Sequence, residues 1–267
     1  MEKEFTFEEY GFSKRLKSML KVDFRRAFTS VFFYLMIGIA FVMPILILVM
    51  TSMMDGTTTV NPQTGVETTI EGFDFVWQAI AARSDAPMSM DLTGMCNINM
   101  IYFLAAVLVC LFVCDDFRSG YAKNLFTVRA KKNEYVVSKT LFALVGGGLM
   151  IIAYIVGAML GGKIAGVSFS LGSTKAIEVV CCMLCKVLLV GVFVPVFLMM
   201  SVVAKQRSWL AIVGSVGVGM LFFTIAPIAS PLDASFVHVL LCLVGGAGFC
   251  FGFGAISNVI LNKTNIL

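Results

Sequence analysis

Few residues in this chain have the types and the spacing that chemistry requires. His238 is the single histidine of the sequence, which excludes acid–base pairs and metal clusters built on histidine. Cys181, Cys182 and Cys185 lie close together, but no second Cys or His group stands at the spacing of a zinc site. Their neighbours are apolar, which favours a packing role. The sequence therefore predicts no catalytic residue and no metal site.

The segment closest to a nucleotide-binding motif is residues 157–164, GAMLGGKI. It has the spacing of a phosphate loop, but Ile164 stands where a Ser or Thr would bind magnesium. The segment also follows an apolar helix and not a strand. We therefore expect no site for ATP or Mg²⁺ in this chain, and ATP-derived energy would have to come from a partner.

Lys186 is the one charged residue well inside a long apolar run. Burial of an ionisable side chain in a membrane costs at least a few kcal/mol, so Lys186 is a candidate functional residue. Two alternatives stay open for it. The side chain either lines a translocation pathway or snorkels to the nearer membrane surface.

The elements that position these residues are membrane spans. Hydrophobic residues make up 59% of the sequence and charged residues 13%, which excludes an ordinary soluble domain. About 20 apolar residues cross a bilayer as a helix, and these runs are continuous and not alternating, which argues against a β-barrel. The sequence predicts an all-α integral membrane protein, a bundle of six transmembrane helices. The expected spans are residues 31–53, 96–114, 137–160, 179–203, 208–227 and 237–260.

The distribution of Lys and Arg predicts the orientation of the spans. Basic residues concentrate before the first span, between the second and third spans, and at Lys205, Arg207 and Lys263, and basic loops stay cytoplasmic. The loop of residues 54–95 contains one basic residue, Arg83, among several acids, so we expect it to be extracellular. Both termini of this multi-pass protein are then cytoplasmic. The net charge of +4 reflects topology and not binding of nucleic acid.

The segments that flank the spans have patterns of their own. Apolar residues recur at steps of three and four over residues 11–28, with Lys and Arg between them, which predicts an amphipathic helix lying on the inner leaflet. This helix either anchors the chain or also braces a cytoplasmic partner. In the outer loop, Asn61-Pro62 predicts a hairpin or flexible excursion, and residues 73–83 predict a short helix at the outer interface.

Prolines and glycines mark breaks and close contacts. Pro227 and Pro231 stop the helix between the fifth and sixth spans, and a re-entrant or interfacial element fits there. Gly157 and Gly161 have the small-xxx-small spacing that lets helix backbones approach closely. Whether such contacts form within one chain or between two chains stays open at this point.

The richest polar break between apolar runs is the segment of residues 115–139, DDFRSGYAKNLFTVRAKKNEYVVSK, which we call the polar island. Gly120 interrupts it, and Tyr121, Leu125 and Phe126 add apolar contacts among the basic residues. We therefore expect a short amphipathic helix or turn. Charge alone would fit a solvated loop equally well.

The order of residues in the polar island resembles the first cytoplasmic loop of the permeases of type-2 ABC exporters. In that loop an acidic-aromatic start, a Gly and a Lys-Asn-Leu precede a basic residue, an aromatic residue and a Lys. The matching positions are Asp116, Phe117, Gly120, Lys123, Asn124, Leu125, Arg129, Tyr135, Ser138 and Lys139. The layout of nearly the whole chain is consistent with this family. Two departures are an Asp at 115 or 116 in place of the usual Glu, and Ala130-Lys131 in place of a small-residue turn.

The resemblance implies a permease subunit of a bacterial cell membrane. It implies pairing with a second permease chain, identical or related, and binding of a separate cytoplasmic ABC ATPase that holds ATP and Mg²⁺. Residues 115–136 would form the coupling loop, with a coupling helix seated in a groove of the ATPase. The residues implied in this contact are Asp115, Asp116, Phe117, Arg118, Gly120, Tyr121, Lys123, Asn124, Leu125, Arg129 and Tyr135. Compact permeases of this class resemble those that export antimicrobial or toxin-like peptides, so the implied cargo is an amphipathic peptide.

Two other classes of function compete with this reading. A membrane scaffold or sensor would recruit a cytoplasmic partner through the same polar island without transporting anything. An intramembrane enzyme would need a polar constellation within the spans, where Lys186 is the one charge available. The enzyme is therefore the weakest of the three hypotheses.

Overall fold

A computed structural model describes residues 11–60, 67–69, 72–84, 97–128, 132–223 and 225–263. These residues form a bundle of long helices with short elements at its ends. The helices are α1 (Phe12–Thr29), α2 (Val31–Met54), α3 (Met100–Arg118), α4 (Tyr121–Val128), α5 (Lys132–Ala165), α6 (Ala176–Ala204), α7 (Ser208–Phe223), α8 (Ile225–Ala229) and α9 (Phe236–Lys263). The elements between α2 and α3 are β1 (Thr58–Val60), β2 (Glu67–Thr69) and a 3₁₀ helix (Val76–Ala79).

Five of the described helices, α2, α3, α5, α6 and α9, are long and apolar enough to cross a membrane. They overlap the first, second, third, fourth and sixth predicted spans, so the prediction of a helical chain with several candidate membrane-spanning helices is confirmed. The predicted fifth span, residues 208–227, falls on α7 and α8, and residue 224 between them lies outside the described residues. The six-span layout stays a prediction.

Glycines on α5 allow its close packing on α2. A Cβ on Gly157 would overlap the carbonyl oxygen of Phe41, and a Cβ on Gly161 would lie 2.8 Å from the Cα of Ile45. The two backbones touch because both positions lack a side chain. These glycines therefore pack within one chain. The segment of residues 157–164, with its phosphate-loop spacing, lies inside a continuous helix.

One end of the bundle, which we call the loop end, carries residues 54–84. Strands β1 and β2 pair there in antiparallel register, with Thr58 opposite Thr69. The predicted hairpin is therefore present as two strands, and its connection, residues 61–66, lies outside the described residues. The opposite end, which carries α1 and α4, is called the island end below.

The 3₁₀ helix at the loop end does not lie on a membrane surface. Val76, Ala79 and Ile80 have no solvent exposure, and the hydroxyl of Tyr154 on α5 donates a hydrogen bond to the carbonyl oxygen of Ala79 at 3.2 Å. The segment packs against α2 and α5. Its small and branched apolar residues allow it to enter the bundle. The predicted interfacial helix over residues 73–83 is therefore corrected to a buried 3₁₀ turn.

The segment between α8 and α9 closes the same end. The backbone N–H of Leu232 donates to the carbonyl oxygen of Ala82 at 2.9 Å, and the N–H of Ser84 donates to Asp233 Oδ1 at 2.9 Å. Burial by itself would raise the pKa of Asp233, but the hydrogen bonds from Ser84 outweigh it and lower the pKa below its ordinary value of 3.8. Two segments distant in sequence are thus joined at the loop end.

Candidate functional site at the polar island

The polar island begins at the end of α3 and turns sharply at Gly120. The φ of Gly120 is +75°, in the left-handed region that residues with a Cβ rarely adopt. The N–H of Ser119 donates to the carbonyl of Asp115 at 2.8 Å, and the N–H of Asn124 donates to the carbonyl of Gly120 at 3.0 Å. No described atom lies within 4 Å of a Cβ built on Gly120, so backbone conformation, and not lack of space, requires glycine here.

The predicted coupling residues divide into an accessible group and a buried group. Those open to solvent wholly or in part are Asp115, Arg118, Gly120, Tyr121, Lys123, Asn124 and Leu125. Those buried inside the chain are Asp116, Phe117 and Tyr135. Arg129 lies outside the described residues. A partner could touch the first group directly, whereas the second group contacts other parts of this chain.

Asp116 is buried because two cations and a phenol surround its carboxylate. Arg26 Nη1 on α1 lies 2.5 Å from Oδ1, and Lys139 Nζ on α5 lies 2.6 Å from Oδ2. The hydroxyl of Tyr135 donates to Oδ2 at 3.0 Å. One carboxylate at the end of α3 thus joins α1 and α5.

A second buried carboxylate, Asp23 on α1, completes this arrangement. Lys139 Nζ lies 2.6 Å from Asp23 Oδ1, and the hydroxyl of Ser138 donates to Asp23 Oδ2 at 2.7 Å. The side chains of Asp23, Asp116 and Lys139 have no solvent exposure. Together with Arg26 they are two anions and two cations, so their formal charges cancel. We call these four residues the charge cluster.

Aromatic rings cover the cations of the charge cluster. Lys139 Nζ lies 4.5 Å from the ring centroid of Phe112, and the guanidinium of Arg26 lies 4.7 Å from that of Tyr121. The faces of aromatic rings attract cations and replace part of their hydration. Because Tyr121 is the first residue of α4, this contact attaches α4 to the cluster.

The charge cluster sets the protonation state of two groups at its edge. Burial by itself would lower the pKa of Arg26, but the hydrogen bond and the charge of Asp116, with the charge of Asp23, outweigh it and raise the pKa above its ordinary value. Burial, followed by the carboxylates of Asp23 and Asp116, raises the pKa of Tyr121. Across the physiological range of pH the guanidinium therefore stays charged and the phenol stays neutral.

Helix α1 packs lengthwise along the first turns of α5. Near its start, Arg15 Nη2 lies 2.7 Å from Glu134 Oε1, and further along, the ring of Phe24 meets that of Phe142 edge-on at 5.7 Å. The charge cluster lies between these contacts, so contacts advance in the same order along both helices. The predicted helix over residues 11–28 is present, and one face of it binds α5 through ion pairs. Its position on the inner leaflet stays a prediction.

The pairing of Asp23 and of Arg26 was not predicted from the sequence. A signal was available, because Met19, Asp23 and Ala27 follow each other at steps of four and form the buried face of α1. A carboxylate on the apolar face of a basic helix is rarely buried unless a cation pairs with it. The pattern therefore indicated a partner for Asp23, although not which residue it was.

A second polar site lies inside the bundle at Lys186 on α6. Its side chain has no solvent exposure, and Nζ donates to Asn99 Oδ1 at 3.0 Å. The hydroxyl of Tyr102 on α3 donates to the backbone carbonyl of Lys186 at 2.8 Å. The ammonium group is therefore enclosed by the chain, and its acceptor, Asn99, lies directly before α3. Both alternatives for Lys186, a translocation pathway and snorkelling, stay open.

The chemistry of both sites is ion pairing and hydrogen bonding. Within the described part of the chain, no group of three or more His, Cys, Asp or Glu residues could hold a metal ion. No family model matches the chain, and no curated protein or solved structure is similar to it. Function is therefore inferred from the geometry of the polar island and from the order of its residues.

Proposed function

We propose that this chain is the membrane-spanning permease subunit of an ATP-driven exporter. In this proposal a separate cytoplasmic ABC ATPase moves the chain through α4. The observation that carries the proposal is that α4, accessible on one side, is attached on the other side to the charge cluster, which joins three helices and has three of its four side chains fully buried. The resemblance of the polar island to the type-2 ABC permeases supports the same assignment.

Helix α4 can transmit displacement because its neighbours are fixed to one another. Asp116 at the end of α3 binds both Arg26 of α1 and Lys139 of α5. Tyr121 of α4 lies against Arg26. A push on α4 therefore moves the ends of α1, α3 and α5 together, whereas a loop without such attachments would absorb it.

Helix α5 is long enough to transmit a tilt from outside the membrane into it. Its 34 residues extend about 51 Å, compared with a hydrocarbon core of about 30 Å. In the proposal, the first turns of α5 and the whole of α1 project beyond the cytoplasmic face of the membrane. A tilt imposed there by the ATPase is passed along α5 into the membrane, and this is one form of alternating access.

The residues of the polar island take two roles in the proposal. Arg118, Lys123 and Asn124, which are exposed, contact the ATPase, and Arg129 belongs with them on its sequence position. Asp116, with Phe117 and Tyr135 beside it, is a positioning residue that holds α3 against α5. ATP and Mg²⁺ bind to the ATPase subunit. The cytoplasmic location of the polar island and of both termini is part of the same proposal.

A second permease chain and a peptide cargo complete the proposal. Among the five long helices, α9 has the most free apolar surface, since 11% of its most apolar stretch is buried. Phe251 on this helix is 82% exposed. A second copy or a related permease would cover part of this surface, and lipid the rest. The proposed cargo is an amphipathic peptide, because a chain rich in Met and Phe can adapt to varied apolar shapes.

Charge reversal on α4 tests the proposal. We expect the double substitution Arg118→Glu and Lys123→Glu to reduce co-purification of the ATPase by at least about tenfold and to abolish peptide transport, because close like charges repel across an interface. Both side chains are exposed, so the permease should still fold. The matched control is Lys163→Glu, at an exposed lysine near the other end of α5. The full chain is isolated from its native membrane, and ATP hydrolysis and transport are measured in proteoliposomes.

The outcomes separate the hypotheses. Assembly and transport that are unchanged in the double variant would remove α4 from the contact with the ATPase. A partner that co-purifies through α4 without ATP hydrolysis or transport would favour the membrane scaffold or sensor. Isolation of the native chain with no partner at all would contradict both.

A further inference from the structure

Lys186 and Lys139 are both buried, but their environments differ. Lys139 Nζ contacts two carboxylates at 2.6 Å each. An ammonium group has three N–H donors, and the structure gives Lys186 Nζ one acceptor, the carboxamide oxygen of Asn99 at 3.0 Å. Among the described residues, Lys139 is therefore compensated by two carboxylates, whereas Lys186 has donors to spare and no anion beside it.

The surroundings of Lys186 do not supply that anion. The thiols of Cys182, Cys185 and Cys242 lie near its ammonium group. Two of these, Cys182 and Cys242, donate to backbone carbonyls of residues 229–230. Over the described ranges, no carboxylate lies within 4 Å of Lys186 Nζ.

An ammonium group in an apolar interior is costly unless an anion pairs with it. We propose that Lys186 and Asn99 form a binding site for a carboxylate group of the transported peptide. This inference rests on the proposed exporter function and specifies what the cargo presents. The amide nitrogen of Asn99 would donate to the same carboxylate that Lys186 binds.

The single charge of this site selects a carboxylate over a phosphate. One lysine provides one positive charge, which matches a singly charged carboxylate. A phosphate carries up to two charges and more acceptor oxygens, and protein sites for it commonly use an Arg fork or several cations. The free C-terminus or an acidic side chain of a peptide supplies the required group.

The site lies next to the segments that close the loop end. Asn99 precedes α3, and the N–H of its neighbour Ile98 donates to the carbonyl of Ala79 in the buried 3₁₀ helix at 3.3 Å. The N–H of Leu232 donates a hydrogen bond to the carbonyl oxygen of Ala82, three residues after Ala79. Lys186 is covered in this arrangement. A ligand can reach it after these segments or the surrounding helices move, which is what alternating access provides.

A matched pair of synthetic peptides tests the site. Both have one amphipathic sequence without Asp or Glu, and one ends in a free carboxylate whereas the other is amidated. Binding to the full chain in lipid nanodiscs is measured without an ATPase. We expect the carboxylate form to bind at least about tenfold more tightly, as a charge-assisted hydrogen bond allows. Lys186→Met should lose this preference and Lys186→Arg should keep part of it, while the control Lys163→Met keeps all of it.

A second variant keeps the test decisive if Lys186→Met does not fold. Asn99→Asp places a carboxylate within hydrogen-bond distance of the ammonium group, because the side-chain oxygen of Asn99 lies 3.0 Å from Lys186 Nζ. This carboxylate would pair with Lys186 in place of the peptide. We therefore expect a higher thermal unfolding temperature and no preference between the two peptides. Equal affinity of the wild-type chain for both peptides, binding of neither, or a preference that survives both substitutions would overturn the inference. Failure of the exporter proposal looks different, because the carboxylate preference would persist in a chain that neither binds an ATPase nor transports.

Discussion

Replacement of Lys139 by Met should be among the most damaging single substitutions at the island end. Lys139 is fully buried and contacts Asp23 Oδ1 and Asp116 Oδ2, each at 2.6 Å. Methionine has a similar length, so the substitution removes the charge without opening a large cavity. Two buried carboxylates then lose their shared cation.

The expected cost follows from what each carboxylate retains. Asp116 keeps Arg26 and the hydroxyl of Tyr135, whereas Asp23 keeps the hydroxyl of Ser138. Removal of one partner from a buried ion pair typically costs about 3–5 kcal/mol, because the other charge stays buried. We expect Lys139→Met to lie in this range, with uncompensated Asp23 as the main cause.

A double substitution separates charge compensation from simple packing. Asp23→Asn combined with Lys139→Met removes one charge of each sign and leaves the pair of Arg26 and Asp116. The double variant should therefore be about 2–3 kcal/mol more stable than the sum of the two single effects predicts.

The free energy of unfolding can be measured by denaturant titration of the purified chain in mixed micelles. Amide hydrogen exchange over residues 12–29 reports whether α1 has separated from α5. Exchange in α1 should rise in Lys139→Met and return towards the wild-type rate in the double variant. Wild-type stability of Lys139→Met, or additive effects in the double variant, would refute the argument from charge compensation. Lys163→Met, at an exposed position, serves as the control.

Two further predictions concern packing and pH. Gly157→Ala should destabilise the chain by about 1–3 kcal/mol, because its Cβ would overlap the carbonyl of Phe41. The control Gly245→Ala should be neutral, since no described atom lies within 4 Å of a Cβ at that position. Equal losses of unfolding free energy for the two variants in the same denaturant titration would contradict this account. The pKa of Asp233 is lowered in the folded chain, so its contribution is present above the ordinary pKa of 3.8 and is lost as pH falls through the lower folded value. Hydrogen exchange of residues 72–84, corrected for intrinsic rates, should therefore rise in acid, and persistence of that rise in Asp233→Asn would count against the contact with Ser84.

Much of the fold could be predicted from local patterns. Continuous apolar runs predicted the five long helices, because backbone groups in a membrane must be satisfied within each helix. The helix α1 and the turn at Gly120 also follow from patterns within a few residues.

The candidate site could be predicted only in part. The sequence identified the accessible residues of α4, because accessibility there follows from a short polar helix between two apolar ones. It also placed Asp116 and Tyr135 in the polar island, but it assigned them to a contact with a partner. Their burial depends on Arg26, which is 90 positions before Asp116 in the sequence.

The sequence by itself determined that the long helices are apolar enough for a membrane, where these helices lie along the chain, and where the main polar segment is. Each of these features depends on residues that are neighbours along the chain. The tertiary structure decided how the charges within these elements are used. Lys139 and Lys186 look alike as lysines near or within apolar runs, yet Lys139 contacts two carboxylates, whereas the acceptor for Lys186 among the described residues is the amide oxygen of Asn99. The energy of a buried charge is set by groups within a few ångströms of it, and those groups come from helices that are distant in sequence.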